Sequence, residues 1–133
     1  MLTLPTTKFK YYLYVIITNM SEKELLKNVR TIFKSAELVY STNDFTSATV
    51  LYFKALFGVL DYVLLKSRGK SPKDHTERFS MLKEYEPELY EFLDNYFRIY
   101  QNTYSTTIDR LTCEKVRKNV TGIMERYKIQ ERD

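Results

Sequence analysis

The scarcity of turn-forming residues is the feature that most limits what this chain can fold into. Its 133 residues include only three glycines and three prolines. A many-stranded β protein needs frequent tight turns, which these two residues favour, so the sequence predicts a few long helices instead. The length fits one domain and leaves little room for a second.

Helix boundaries can be predicted along the first half of the chain. Ser21 followed by Glu24 is a capping-box pattern, in which each side chain binds the other's backbone N–H, so a first helix is predicted to begin there. The polar segment STND at 41–44 ends this helix and supplies an N-cap for the next. The second helix, over 45–68, is the most apolar and is expected at the centre of a bundle, with Gly69 as its C-cap.

Shorter helices follow in the second half. A third helix is predicted to begin near Asp74 or His75 and to end before Pro87, which suits the first turn of a fourth helix. A last amphipathic helix follows the polar connector at 105–112. The predicted fold is an all-α, four- to five-helix up-and-down bundle over residues 21–130.

Residues 1–20 are harder to interpret. The segment FKYYLYVIIT is rich in aromatic and β-branched residues, but a lone strand would have nothing to pair with, so we expect an N-terminal arm or a short helix. Its apolar run is too short to span a bilayer, and no membrane association is expected. Cys113 is the only cysteine, which excludes an intrachain disulfide and favours a cytoplasmic protein.

The usual signatures of catalysis are missing from the sequence. It contains no glycine-rich phosphate loop and no cluster of cysteine and histidine residues, so neither a metal nor a cofactor is expected. The net charge is +4, with a mainly basic segment at 66–78 and an acidic one at 84–94. These segments are interpreted either as a polyanion contact or as solvated surfaces.

Two single residues are candidates for a binding site. Asp61 interrupts the most apolar helix, so if it faces the core it needs a partner such as Arg98, Lys54 or a tyrosine. Facing solvent, it needs none. His75, the only histidine, lies near a predicted helix start, where it is interpreted as a base, a phosphate contact or a surface residue.

The order of these features resembles that of the HEPN domain, a small all-α domain of prokaryotic toxin–antitoxin and defence systems. The similarity rests on the segments YFKALFGVLDYVLLKSRGKSPKDH and FRIYQNTY and on the final helix, and spans about 22–127. Family members that cleave RNA carry an arginine followed a few residues later by a histidine, at a dimer interface. In this sequence Arg98 matches the arginine and Tyr104 replaces the histidine, while Asn102 is an additional polar residue.

The resemblance implies a homodimer, formed through the second helix and the Arg98 region, that binds RNA or a nucleotide. Tyrosine keeps its proton at neutral pH and is a poor general base, so metal-independent ribonuclease activity through Arg98 and Tyr104 is doubtful. The expected binding residues are Arg98, Asn102, Tyr104, His75 and Asp61. The alternatives are an interaction module that holds a protein such as a nucleotidyltransferase, and a structural protein in which Arg98 pairs with Asp61 or Glu91.

Overall fold

The chain folds into a helical bundle. A computed structural model describes residues 6–129, with side chains given for 8–13 and for 22–129. This part of the chain contains five α-helices and no strand, which confirms the predicted all-α class. The helices are α1 (Thr6–Tyr40), α2 (Phe45–Arg68), α3 (His75–Tyr85), α4 (Pro87–Asn102) and α5 (Arg110–Arg126).

The first helix is longer than the sequence pattern predicted. It runs without interruption from Thr6 to Tyr40, so Ser21 lies inside α1 and the predicted helix start at that residue is wrong. No glycine or proline occurs in this span, and nothing there forces the backbone out of the helical region. Residues 6–20, for which an arm or a short helix was predicted, form the first part of the long helix α1. Residues 1–5 lie outside the described residues.

The boundaries of α2 and the starts of α3 and α4 were predicted correctly, whereas α5 begins at Arg110, inside the predicted connector, because Asp109 caps it. Asp44, Asp74 and Asp109 each accept a hydrogen bond from the backbone N–H three residues later, at 3.1, 2.8 and 2.8 Å. These contacts satisfy N–H groups that have no partner within the helix. Gly69 ends α2 with a φ of 73°, which glycine adopts without strain, and Pro87 occupies the first turn of α4.

The second helix forms the centre of the core, as predicted. It contacts all four other helices, and Gly58 allows α1 to approach closely, because a Cβ there would lie 2.6 Å from a methyl group of Val29. The largest fully buried side chains come from all five helices and the segment after α5: Tyr52, Phe53, Leu56, Leu60, Leu64, Leu82, Leu89, Leu93, Met124, Ile129, Val29 and Val59.

One connection departs from up-and-down order and positions the candidate site. The contacts between α2 and α3 follow the same residue order in both helices: Phe57 contacts His75, Asp61 contacts Arg78, and Arg68 contacts Tyr85. Helix α3 therefore runs in the same direction as α2, because the chain doubles back over residues 69–74. This return brings the first turn of α3 beside the middle of α2.

The central helix also has the composition of a membrane span. Within the part of the chain that the structure describes, only Phe45–Arg68 is long and apolar enough to cross a bilayer, and 67% of its most apolar window is buried inside the bundle. This burial fits the core helix of a soluble protein.

Candidate functional site

A buried ion pair links α2 to α3. Arg78 donates from Nε to Oδ1 of Asp61 at 2.7 Å and from Nη2 to Oδ2 at 3.0 Å, a two-point geometry that fixes both side chains. The Arg78 side chain is 9% exposed and that of Asp61 is 15% exposed. The guanidinium also lies over the Phe57 ring, 4.9 Å from its centroid. The acid inside the apolar helix thus has the partner that its position requires.

The same arginine holds the only histidine of the chain. Nη1 of Arg78 lies 2.7 Å from Nδ1 of His75. Because a guanidinium is always a donor, Nδ1 must accept this bond, and neutral His75 then carries its proton on Nε2. Nε2 has no hydrogen-bond partner among the described residues, and His75 is exposed. Asp61, Arg78 and His75 form a chain of contacts that ends in a free N–H donor.

Aromatic rings surround the other side of His75. Its ring packs edge-on against Phe57, Phe97 and Tyr100, with centroids 4.8, 5.4 and 5.8 Å away. This partial burial lowers the pKa of His75 below the ordinary histidine value, and the charge of Arg78 lowers it further. His75 is therefore held neutral at physiological pH.

Tyr104, the residue that replaces the expected histidine, contacts Tyr100, which in turn contacts His75. The two hydroxyls are 3.1 Å apart and the rings meet edge-on at 5.8 Å. Tyr100 is buried, which raises its pKa to about 12, with the Tyr104 hydroxyl as the second cause. Tyr104 itself is 79% exposed. We call Asp61, His75, Arg78, Tyr100 and Tyr104 the His75 site.

Arg98 and Asn102 do not contact the His75 site. They lie one turn apart on the same side of α4, and both are exposed. Arg98 follows Phe97 directly, so it is rotated about 100° around the helix from the residue that touches His75. Among the described residues Arg98 forms no ion pair, so the suggested pairs with Asp61 and Glu91 are wrong.

The sequence reasoning missed Arg78. The partners proposed for Asp61 were Arg98, Lys54 or a tyrosine, and none of them binds it. A signal was present, because His75 and Arg78 are three residues apart at the start of a helix and so lie on one face. The direction of α3, which brings this face to Asp61, could not be read from the spacing.

A concave region lies between α1 and α5, away from the His75 site. This groove has a volume of about 590 Å³ and contains both charge signs along its walls. Arg117 is already bound to Glu37, and the hydroxyl of Tyr40 donates to Glu114. None of the predicted site residues lies in this groove. Three of its polar side chains, Tyr40, Glu114 and Arg117, therefore already have partners.

Neither a family model, a curated protein nor a solved structure matches this chain. The HEPN resemblance therefore stays a prediction. Among the described residues no group of three histidine, cysteine or acidic side chains could hold a metal ion. The chemistry that the site offers is a fixed N–H donor on His75 and an exposed aromatic ring on Tyr104, which Tyr100 links to it.

Proposed function

We propose that this chain is a HEPN-like protein that binds single-stranded RNA or a nucleotide and does not cleave it. The observation that carries the proposal is the state of His75. Its Nδ1 is occupied by Arg78, and its Nε2 carries a proton and has no partner among the described residues. A donor of this kind suits a phosphate oxygen or a base carbonyl.

The same contacts argue against catalysis. A general base needs a lone pair within reach of the proton that it removes. In neutral His75 one ring nitrogen accepts from Arg78 and the other is protonated, so no lone pair is free. Tyr104 holds its proton at neutral pH and cannot substitute for a histidine base. Binding therefore fits this arrangement better than ribonuclease activity.

Exposed groups on α4 add to the binding surface. Arg98 has no protein partner among the described residues, so its guanidinium is available to a phosphate. Asn102 lies one turn further along and can add a hydrogen bond. The ring of Tyr104 can stack on a base, an interaction that tolerates different sequences. The affinity should therefore depend more on charge and stacking than on base identity.

The cellular setting in this proposal comes from the sequence and the resemblance. The cytoplasmic location rests on the single cysteine, whereas the homodimer of the toxin–antitoxin or defence type and a nucleotidyltransferase partner are carried over from the family. A dimer formed through α2 has little surface to use, because this helix exposes mainly Ser47, Lys54 and residues 66–68. The Arg98 face of α4 is more accessible.

Fluorescence anisotropy with a short, unstructured, labelled RNA tests the proposal. Wild-type protein should bind, and His75→Phe, which keeps a ring for packing but loses the Nε2–H, should bind about tenfold more weakly. Arg98→Gln should also weaken binding, whereas Lys118→Gln, which removes an exposed cation from α5, should not.

Gel analysis of the same RNA should show no cleavage by wild type. Absence of binding would exclude the proposed function, and cleavage that Arg98→Gln abolishes would restore the enzyme hypothesis.

The N-terminal part of α1 favours a second candidate function, a protein-docking module. Residues 8–13 are six successive helical residues, and all of them are exposed. They include Phe9, Tyr11, Tyr12 and Leu13, which are each 43–64% exposed. Large apolar side chains grouped in this way are typical of interaction surfaces.

The oligomeric state in solution tests this second candidate with a second copy as the partner. Light scattering over a range of concentrations should give a dimer for wild type and a monomer for a Phe9→Ser, Tyr12→Ser variant. Leu111→Ser is the matched control, because Leu111 is a single exposed apolar residue on α5, 76% exposed. A wild type that stays monomeric at all concentrations would exclude self-association through this segment.

A further inference from the structure

Three residues lie on the face of α2 that contacts His75 and Arg78. Lys54, Phe57 and Asp61 follow one another at steps of three and four residues, which places them along one stripe of the helix. Phe57 touches the His75 ring, and Asp61 holds Arg78. Lys54 continues this stripe by one more turn, in the direction away from the ion pair.

The contacts of Phe53 show which part of the site Lys54 lies next to along the axis of α2. Phe53 packs against Tyr100, with ring centroids 5.4 Å apart, and Tyr100 is bonded to Tyr104. Lys54 therefore lies at the height of the tyrosine pair, beside His75. Consistent with this, the charge of Lys54 contributes to lowering the pKa of His75. The side chain is exposed and forms no ion pair among the described residues.

Three exposed residues from three parts of the chain are thus grouped around Phe57 and Tyr100. Lys54 comes from α2, the Nε2–H of His75 from α3 and the ring of Tyr104 from the turn that follows α4. Two of these groups are hydrogen-bond donors, one of them cationic, and the third is a flat aromatic surface. A ligand that uses all three must join an anionic group to a planar ring.

We propose that Lys54 is a phosphate-binding residue, and that the ligand unit is a nucleotide whose phosphate lies between Lys54 and His75 while its base stacks on Tyr104. This inference rests on the proposed function and specifies its ligand. The phosphate accepts a charge-assisted bond from Lys54 and a second bond from the Nε2–H. The unit belongs to a single strand, because in a duplex the base would be paired and stacked within the helix.

The salt dependence of RNA binding tests the role of Lys54. Binding of a short, unstructured, labelled RNA is measured at several salt concentrations for wild type, Lys54→Gln and Lys118→Gln. Both variants lose one exposed cation, so their net charges are equal. Loss of one phosphate contact on a single strand should reduce the slope of log K against log salt by about 0.7 in Lys54→Gln. Lys118→Gln should keep the wild-type slope.

Competition experiments test the two halves of the ligand. Adenosine 5′-monophosphate should displace the labelled RNA at a concentration at which neither ribose 5-phosphate nor adenosine does, because each of these lacks one half. With Tyr104→Ala, the advantage of the monophosphate over ribose 5-phosphate should disappear. Equal competition by all three compounds on wild type would overturn the proposed ligand unit.

The outcomes separate this inference from the function on which it rests. If wild type binds RNA and His75→Phe weakens binding, but Lys54→Gln behaves like Lys118→Gln, then Lys54 is not a phosphate contact and the proposed function stands. If wild type binds no RNA and no nucleotide, both fail. Circular dichroism of Lys54→Gln should match wild type, because the side chain is exposed and makes no contact that the fold requires.

Discussion

Two arginine–carboxylate pairs hold this bundle together, and they differ in what else the arginine does. Asp61–Arg78 joins α2 to α3, and Glu37–Arg117 joins α1 to α5. Both use two parallel hydrogen bonds, at 2.7 and 3.0 Å in the first pair and 2.7 and 2.9 Å in the second. The first pair is more deeply buried, since the Glu37 and Arg117 side chains are 35% and 42% exposed.

The remaining contacts of each pair explain the difference in role. Glu37 also accepts a hydrogen bond from Tyr52 of α2, and the bond from Arg117 lowers the pKa of this carboxyl group. Three helices are thereby tied together, and both oxygens of the Glu37 carboxylate are used. Arg78 instead uses its third nitrogen to orient His75, whose Nε2–H has no partner among the described residues. The first arrangement suits a structural clamp, and the second suits a binding site.

Removing the acid from each pair should separate them most clearly. Asp61→Asn leaves the charge of buried Arg78 without a partner and should lower the free energy of unfolding by about 3–5 kcal/mol. Glu37→Gln should cost only about 1 kcal/mol, because the pair is partly solvated. Urea denaturation of both variants measures the difference. Equal losses would contradict the view that one pair is buried and the other is a surface clamp.

The protonation of His75 should produce the next largest effect. Its pKa is lowered in the folded protein, so the unfolded chain binds more protons between that value and about 6.5. Stability should therefore fall as the pH decreases through this window. His75→Gln should have a flatter profile over the same range, because it lacks the titrating group. Thermal unfolding from pH 7.5 down to pH 5.5 measures both profiles, and parallel profiles would show that His75 is not the group responsible.

Much of the fold could be predicted from the sequence, because helix ends depend on local residues. Asp44, Gly69 and Pro87 define boundaries through contacts within a few residues of themselves. The start of α1 could not be predicted in this way. A capping-box pattern alone does not show that a helix begins, and here Ser21 lies inside a helix that began at Thr6.

The candidate site could be predicted only in part, because its geometry depends on distant contacts. His75, Asp61 and Tyr104 were identified as residue types that need a partner or a role. Arg78 contacts both Asp61 and His75 only because the path of residues 69–74 makes α3 parallel to α2. An up-and-down arrangement would have carried the start of α3 away from Asp61, so the pattern pointed to Arg98 and overlooked Arg78.

The hydroxyl of Tyr52 offers a smaller test of the clamp. Tyr52→Phe keeps the buried ring, which packs edge-on against Phe33 at 5.6 Å, and removes only the hydrogen bond to Glu37. The expected loss is about 1 kcal/mol in the free energy of unfolding. In a Glu37→Gln background the same substitution should cost less, because the bond to a charged acceptor is already gone. Additive losses in this double-mutant cycle would mean that the two side chains do not interact.

The smallest effect should come from the hydroxyl of Tyr104, and it sharpens the distinction between site and clamp. Tyr104→Phe removes the bond to the Tyr100 hydroxyl, but the residue is 79% exposed, so the free energy of unfolding should change by about 0.5 kcal/mol or less. The pKa of Tyr100 should fall only in part, because burial is the first cause of its rise. Nucleotide binding should survive, since stacking needs the ring and not the hydroxyl. A residue of the clamp would behave in the opposite way, with a stability loss and no change in binding. If Tyr104→Phe destabilises the protein as much as Tyr52→Phe, Tyr104 serves the fold and not the ligand.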